Sequence, residues 1–462
     1  MKKTIKLAVV AALALGATSA FATNGDIMIG QGAKSRAMGG VGIAKSFGAE
    51  SGLANPAMIS TVKDSEFTFV LTAFNPNVAF KSNAAANAQS PTSVAVPSKD
   101  SAANFSVIPE LAYATRLSDS LVIGLSLSGT AGMGTDYDDA AFGTASDNGA
   151  FRMKTTLSLA KVAVPFSYTT GAITLGIAPI LQYGSLQISH MYQDPADGQY
   201  KKRDNGASTD IGYGYELGAS VKGGDFTVGM VYKSKISMKY DNTISASIND
   251  FGGASQTGVT SGDNLDQPAE LGLGISYAMG ANTIALDYRN IAWGDAAGYK
   301  DFNWENQNVY AIGYEYAGSG WALRAGYNYG KSPITEANGA KGLGATGPTG
   351  YPGAVQNFFN LSGFPGVVET HMTLGAGYDI SDAISLDAAF IYVPEVTVSY
   401  NTSGMTEAFA YGGYLASQGT NPANATQAQN AKAGAAAAGT PASSADVTHS
   451  QMGLTLAVTY KF

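Results

Sequence analysis

Chemistry in this chain would have to come from few residues. It holds three histidines, His190, His371 and His449, and no cysteine. No Cys/His cluster offers a metal site. Neither G-x-S-x-G nor H-E-x-x-H occurs, so no nucleophile elbow and no zinc-protease helix is encoded. A serine and a histidine can still meet in space, because a triad is defined by geometry and not by chain order. His190 and His449 flank long polar stretches, and His371 opens an alternating segment. There is no G-x-x-x-x-G-K-[ST] loop to bind a nucleotide triphosphate. The expectation is a protein without catalytic residues, metal or cofactor.

The elements that would position any site follow from composition. Of 462 residues, 45% are hydrophobic and 13% charged, with 57 glycines and 25 tyrosines. An ordinary soluble domain carries roughly 25% charged residues, so this surface is covered by something else. Mean hydropathy is +0.01. A bundle of membrane helices would need repeated runs of about 20 apolar residues, and none follows the N-terminus. The aromatic content excludes a disordered chain, and the missing cysteines exclude a disulfide scaffold. A net charge of −8 opposes nucleic-acid binding. An outer-membrane β-barrel fits all of these.

The first residues are read as an address. Lys2, Lys3 and Lys6 precede an apolar run from Leu7 to Leu15, and Ala20-Phe21-Ala22 forms an A-x-A cleavage site. A signal peptide at 1–22 implies export, and its removal takes the net charge from −8 to −11.

Beyond residue 65 the apolar residues alternate. At the end of the chain Met452, Leu454, Leu456, Val458, Tyr460 and Phe462 share one face; Gln451, Gly453, Thr455, Ala457, Thr459 and Lys461 share the other. In a transmembrane barrel the apolar face looks at lipid and the polar or small face at the lumen. Strand starts are expected near 66, 105, 121, 155, 173, 208, 226, 269, 283, 308, 321, 371, 384 and 450. Short turns near 118, 170, 223, 280, 318 and 381 alternate with long stretches near 81–104, 136–153, 190–207, 240–267, 294–307, 331–370 and 401–449. Six turns and seven loops give fourteen antiparallel strands with both termini on the periplasmic side, as bacterial barrels require. Tyrosines such as Tyr310, Tyr327 and Tyr378 suit the headgroup level. The last loop is polar and low in charge, with a short helix conceivable at Ala431–Ala438.

Residues 23–65 do not alternate and are rich in glycine, ending in Asn55-Pro56-Ala57. Glycine accepts positive φ, so such a segment folds tightly in a confined space. The inferred lumen face is correspondingly small, with Gly212, Gly218, Gly274, Gly313, Gly326 and Gly375 among its residues. A plug within the barrel is expected for 23–65, and a 14-stranded barrel for 66–462; a periplasmic tail is the alternative for the leading segment.

On these residues the chain resembles the FadL/TodX family of outer-membrane transporters of long-chain fatty acids and aromatic hydrocarbons. The segment Gln31-Gly32-Ala33-Lys34-Ser35-Arg36-Ala37-Met38-Gly39-Gly40 looks like the family's hatch. Asn55-Pro56-Ala57 looks like its NPA motif, and Asn75-Pro76, Pro109 and the run Ser128–Tyr137 fit its first three strands. The resemblance implies a hatch within the lumen, a kinked third strand that opens the wall sideways, and passive uptake of hydrophobic cargo. It carries Asn55, Pro56 and Ala57 as the gate, Gly132, Met133 and Gly134 as the kink, and Thr23–Met28 as a segment reaching into the ligand passage. Glycines in a strand also mark a bulge or close backbone approach, independently of the family; a plain loop start at Gly132–Gly134 is the alternative. Glu305 aligns near a position that is often basic in the family, which puts a carboxylate head group in doubt. Arg289 and Arg324 stand at inward positions and either receive such a head group or join an ion-pair network with Asp287, Glu315 or Asp387. Implied partners are fatty acids or hydrocarbons, outer-membrane lipid and lipopolysaccharide, and the barrel-assembly machinery. A general diffusion porin is the main alternative, followed by an enzyme and an adhesive barrel.

Overall fold

The structure is a computed structural model that describes residues 23–82, 96–138, 152–193, 200–251, 253–340, 351–405 and 443–462. The leader at 1–22 and the helix considered at 431–438 lie outside these residues.

Fourteen antiparallel strands form a closed ring: β1 (Ser65–Ser82), β2 (Val96–Asp100 and Ser106–Arg116), β3 (Leu121–Met133), β4 (Met153–Ala163 and Phe166–Thr170), β5 (Ile173–Gln193), β6 (Tyr200–Asp204 and Ser208–Gly223), β7 (Phe226–Lys233), β8 (Glu270–Met279), β9 (Asn282–Ile291), β10 (Gln307–Ala317), β11 (Trp321–Gly330), β12 (Thr370–Asp379), β13 (Ile384–Asn401) and β14 (Ser444–Lys461). β14 pairs with β1 from Ala445–Ser82 to Lys461–Glu66, which leaves the sheet no free edge there. Hydroxyls lace the seam from inside, Thr68 to Thr459 at 3.0 Å and Thr72 to Thr455 at 2.9 Å.

Parity behaves as a barrel in lipid demands. On β14, Met452, Leu454, Leu456 and Val458 are exposed, whereas Gln451, Thr455, Ala457 and Thr459 are buried. Tyr310, Tyr327, Tyr329, Tyr378 and Tyr392 also point outward. In water this apolar band would be an aggregation hazard; in a bilayer it is solvated.

Two expectations about length need correction. β14 begins at Ser444, six residues before 450, and most of the described residues of the stretch 190–207 are strand, with β5 running to Gln193 and Tyr200–Asp204 pairing back on it. The long-loop end also carries short helices that no periodicity announced: α2 (Ile244–Asp250), α3 (Ala254–Thr257) and α4 (Tyr351–Gly363), after α1 (Gly32–Ala37) near the N-terminus.

The segment before β1 reaches every strand of the ring. Arg36 donates to Thr72 of β1 (2.9 Å), the Gly32 N–H to Glu110 of β2 (2.8 Å), and Ser128 of β3 to Gln31 (3.0 Å). Ser167 of β4 donates to the Ala57 carbonyl (3.0 Å), and Asn55 Nδ2 to the Met230 carbonyl of β7 (3.3 Å). Ser276 of β8 donates to Ala44 O, Asp287 of β9 accepts from the Gly42 and Ile43 N–H groups, and Glu315 of β10 accepts from Lys45. Asn328 of β11 donates to Gly39 O, Thr373 of β12 to Ala37 O, Lys34 meets Asp387 of β13 at 3.6 Å, and Ala33 packs on Ala457 of β14. On β5 the contact is backbone against backbone, and on β6 the Asn55 side chain packs on Gly218 and donates to the Ala219 carbonyl at 3.5 Å. A methyl group placed at Gly176 or Gly218 would overlap Ala57 N or Asn55 Oδ1, so only glycine leaves room there.

Candidate functional site

Among the described residues the ladder between β2 and β3 is interrupted. It runs from Arg116–Val122 to Glu110–Ser128 and stops. Pro109, the next residue on β2, has no N–H to offer. The two strands are next joined at Ala102, whose N–H donates to the Asp136 carbonyl (2.8 Å). Within that interval the pairing of β3 with β4 shifts register between Gly129 and Ala131, as at a β-bulge.

The backbone groups freed on β3 are taken by the N-terminal segment. Ile27 bridges Ala131, and the Gly132 N–H donates to the Asp26 carbonyl at 3.1 Å. Thr23–Asn24 folds back on Ile27–Met28 around Gly25, whose φ of 69° and contact with Trp293 and Trp304 both require glycine.

Above this hairpin lies an apolar cavity. Met133 of β3, Met153, Leu186 and Ile188 line one side; Tyr299, Phe302, Trp304, Phe359 and Phe364 line the other, and Ile244 and Ile248 of α2 close it. Its free space is about 30 Å³, room for a water or two and not for a cargo molecule. Side chains or helices must move before anything larger enters.

Asp26 separates this cavity from a second one. Its Oδ2 accepts from the Tyr299 hydroxyl and from Gln267 Nε2 (3.4 Å), while Oδ1 is buried without a hydrogen-bond partner. Tyr299 belongs to the apolar cavity; Gln267 and Ile27 belong to a polar one with Thr130, Lys161, Glu216, Lys233 and Glu270. Burial pushes the Asp26 carboxyl up to about 6, against the lowering effect of Tyr299, Gln267 and Lys161.

At the long-loop end a serine and a histidine do meet. Ser247 Oγ lies 3.5 Å from His190 Nδ1, and His190 Nε2 lies 3.0 Å from Asp250 Oδ2. The order is that of a hydrolytic relay, but the surroundings are not. Ser247 sits inside α2 and donates to the Thr243 carbonyl at 3.2 Å, and Asp250 is also gripped by Arg203, with Nη2 at 2.7 Å. The cluster ties α2 to β5 and β6. At its other end α2 is held by Asp263, which accepts from the Thr243 and Ser245 N–H groups.

The residues expected from sequence are dispersed over this site. Met133 lines the apolar cavity, Gly132 binds the Asp26 carbonyl, and Gly134 abuts the Thr155 carbonyl so closely that no side chain fits. Met28 is buried against Phe74, Ile108 and Ile391, and Thr23 pairs with it along the backbone. Asn55 caps the 3-10 turn Pro56–Thr61, accepting from the Ala57 N–H at 3.0 Å. This turn meets β3 where Ile59 nears Gly124, while Asp26 and Ile27 bind Gly132 and Ala131. Arg324 is the centre of an ion-pair network with Glu315 (2.7 Å) and Asp387 (2.8 Å). Arg289 instead faces Glu270 at 3.9 Å, and Asp287 serves the Gly42 and Ile43 backbone. Glu305 is exposed and lines neither cavity. The sequence reading missed Asp26, and it missed Glu66 and Glu110, which accept from the Ala49 and Gly32 N–H groups; for these two strand residues, acidic side chains at inward parity were the available signal.

A family profile described as outer membrane protein transport protein (OMPP1/FadL/TodX) matches residues 8–341. Among solved structures the chain is similar to a FadL homologue of Pseudomonas aeruginosa, with TM-score 0.62 and 15% identity over 95% of this chain and 100% of that one. The toluene transporter TodX of Pseudomonas putida gives 0.60 and 17% over 95% and 100%, and the toluene transporter TbuX of Ralstonia pickettii 0.57 and 16% over 94% and 99%. At such identities the likeness is one of fold. A Chlorobium limicola relative, an uncharacterized protein from the 5' region of a phosphoenolpyruvate carboxykinase gene, is 40% identical over 85 residues; the match spans 18% of this chain and 42% of that protein.

Proposed function

The chain belongs to the OMPP1/FadL/TodX family of outer-membrane transport proteins, and on that footing we propose that it takes up hydrophobic molecules passively, fatty acids or hydrocarbons, and releases them sideways into the membrane. Residues 23–65 act as a hatch that blocks the lumen. Asn55, Pro56 and Ala57 brace it against β4–β7, and Asp26-Ile27 is its movable tip. Cargo enters the apolar cavity from the long-loop end, displaces the tip, and leaves between β2 and β3 past Gly132 and Met133. The observation that carries this reading is the coincidence of three features: a broken ladder, a hatch segment filling it, and an apolar cavity directly above.

Energetics favour such a route. Water rejects an acyl chain at roughly 0.8 kcal/mol per CH₂, so an aqueous axial path is the wrong medium. Below the cavity the lumen is polar, with Asn24, Asn328 and His371 buried and carrying unpartnered nitrogen or oxygen atoms. An apolar chain gains nothing by descending there, whereas the wall break leads to lipid.

The test is a paired substitution, Ile27→Cys with Ala131→Cys, at facing positions of an antiparallel bridge. Oxidation is expected to abolish uptake of a labelled hydrophobic compound and reduction to restore it. Uptake that ignores the crosslink would refute the gate.

A further inference from the structure

One helix closes the apolar cavity and ties both rims of the interrupted ladder. Phe359 and Asn360 of α4 line the cavity, with Phe364 just past the helix end. The last carbonyls of a helix have no partner within it. In α4 two of them are met from the wall. Thr135, two residues past β3, donates to Ser362 O at 2.6 Å, and Thr155 of β4 donates to Gly363 O at 2.5 Å. The two threonines are also joined to each other: the Thr155 N–H donates to the Thr135 carbonyl (2.9 Å), and the Thr135 N–H to Thr155 Oγ1 (3.1 Å). All four residues are buried. On the opposite rim Phe358 meets Phe80 of β1 edge to face at 5.6 Å, and Asn357 Nδ2 donates to the Asn401 carbonyl of β13 at 2.9 Å. A single helix thus bridges β13 and β1 to β3 and β4, across the stretch where β2 and β3 do not pair.

Resting on the transport reading above, we infer that α4 is a clasp on the interruption, with Thr135 and Thr155 as its positioning residues. With α4 seated, the free space of about 30 Å³ admits no cargo. The other walls resist movement. Leu186 and Ile188 lie on β5, which is paired on both sides, and Trp293, Tyr299 and Trp304 form one aromatic block with centroids 4.7–5.1 Å apart. Helix α2 is held by the carboxylates Asp250 and Asp263. Charge-assisted bonds are roughly twice as strong as neutral ones, so α4, held to β3, β4 and β13 by neutral bonds, yields first. Cargo that enters lifts α4, the Ser362 and Gly363 carbonyls leave the two threonines, and the unpaired part of β3 loses its upper hold. Filling the cavity and loosening the wall then share one equilibrium, and each must shift the other by the same factor.

The experiment uses the full chain in nanodiscs, with Trp321→Phe to remove the one tryptophan on the outer face. Quenching of Trp293 and Trp304 by 9,10-dibromostearate reports entry into the cavity. Because the chain has no cysteine, Thr130→Cys places a single thiol in the unpaired part of β3. Its labelling rate by a water-soluble methanethiosulfonate at constant pH reports loosening of the wall. In Thr135→Val with Thr155→Val, labelling without the quencher is expected to be about ten-fold faster, the factor for two neutral hydrogen bonds. The dibromostearate concentration for half-maximal quenching is expected to fall by the same factor. Thr135→Ser with Thr155→Ser keeps both hydroxyls and should match the parent in both readouts. Faster labelling with an unmoved quenching midpoint would make the hydroxyls merely structural and overturn the inference, as would an unchanged labelling rate. Absence of quenching in the parent would overturn the transport reading itself. Should the valine variant fail to assemble, Asn357→Ala, which frees α4 from β13, decides alone: both readouts are expected to shift together.

Discussion

Arg36 of the N-terminal segment and Glu110 of the wall form an ion pair from which water is excluded, with side-chain exposures of 0% and 6%. Glu110 also occupies the last rung of the β2–β3 ladder before the break, opposite Ser128. A buried ion pair between the N-terminal segment and the wall therefore sits where the β2–β3 ladder is interrupted. Removing one partner leaves the other buried and uncompensated, at a cost of about 3–5 kcal/mol. Arg36→Ala or Glu110→Ala is expected to loosen the hatch and raise ion conductance in planar bilayers. The double change Arg36→Met with Glu110→Leu, which buries no lone charge, should conduct much less than either single variant.

The lumen glycines are spacers for the hatch backbone. Gly218→Ala and Gly326→Ala would each drive a methyl into hatch atoms, Asn55 Oδ1 in one case and Gly39 N in the other. Overpacking of this kind costs about 1–3 kcal/mol. Trypsin is expected to cut at Lys34, Arg36 or Lys45 in these variants while the barrel keeps its heat-modifiable mobility. Gly223→Ala, with nothing within 4 Å, should behave as the parent.

Acidity should tighten the hatch. Burial raises the Glu50 carboxyl from 4.5 to about 7 despite the opposing Lys34, and the Asp26 carboxyl from 3.8 to about 6. A carboxyl raised on folding favours the protonated form, so its stabilisation is complete below the unfolded value and is lost as pH rises through the folded one. Spin-label mobility at Ile27→Cys, and leak conductance, are both expected to increase between about pH 4.5 and 7. Glu50→Gln combined with Asp26→Asn should flatten that rise; an increase of mobility on acidification would contradict it.

The Ser247–His190–Asp250 cluster should prove mechanical. Ser247→Ala is expected to leave uptake within about two-fold of the parent, since the hydroxyl bonds only within its own turn and to one imidazole at long range. Asp250→Ala frees both Arg203 and His190 from α2. Stopped-flow quenching of Trp304 should then show cargo entering about ten-fold faster, the effect of losing a charge-assisted contact. Loss of uptake in Ser247→Ala would instead point to chemistry.

Much of the barrel was legible because strand parity is a local property. On β14 each residue from Gln451 to Tyr460 faces as its polarity dictates. The start of β14 at Ser444 was not, because Ser-Ala-Asp-Val carries little apolar contrast and pairs only through β13 and β1. Helix α2 escaped notice for a similar reason: seven residues are too few for a period, and Asp250 and Asp263 hold it from outside. Asn55 was recognised by motif, yet its contacts with Ile43, Ala219 and Met230 were not legible, since a three-residue motif says nothing about which strands curve round to meet it. Asp26 could not be singled out at all. Its role depends on Tyr299 and Gln267, more than 240 residues away.

The N-terminal segment draws its partners from β1 through β14, although it is the first part of the described chain to be synthesised. Its sockets at Asp287, Glu315 and Asp387 come into being only when the later hairpins are made. Until then residues 23–62 lack the partners that hold them, so their final packing can be completed only after the last strands have been made.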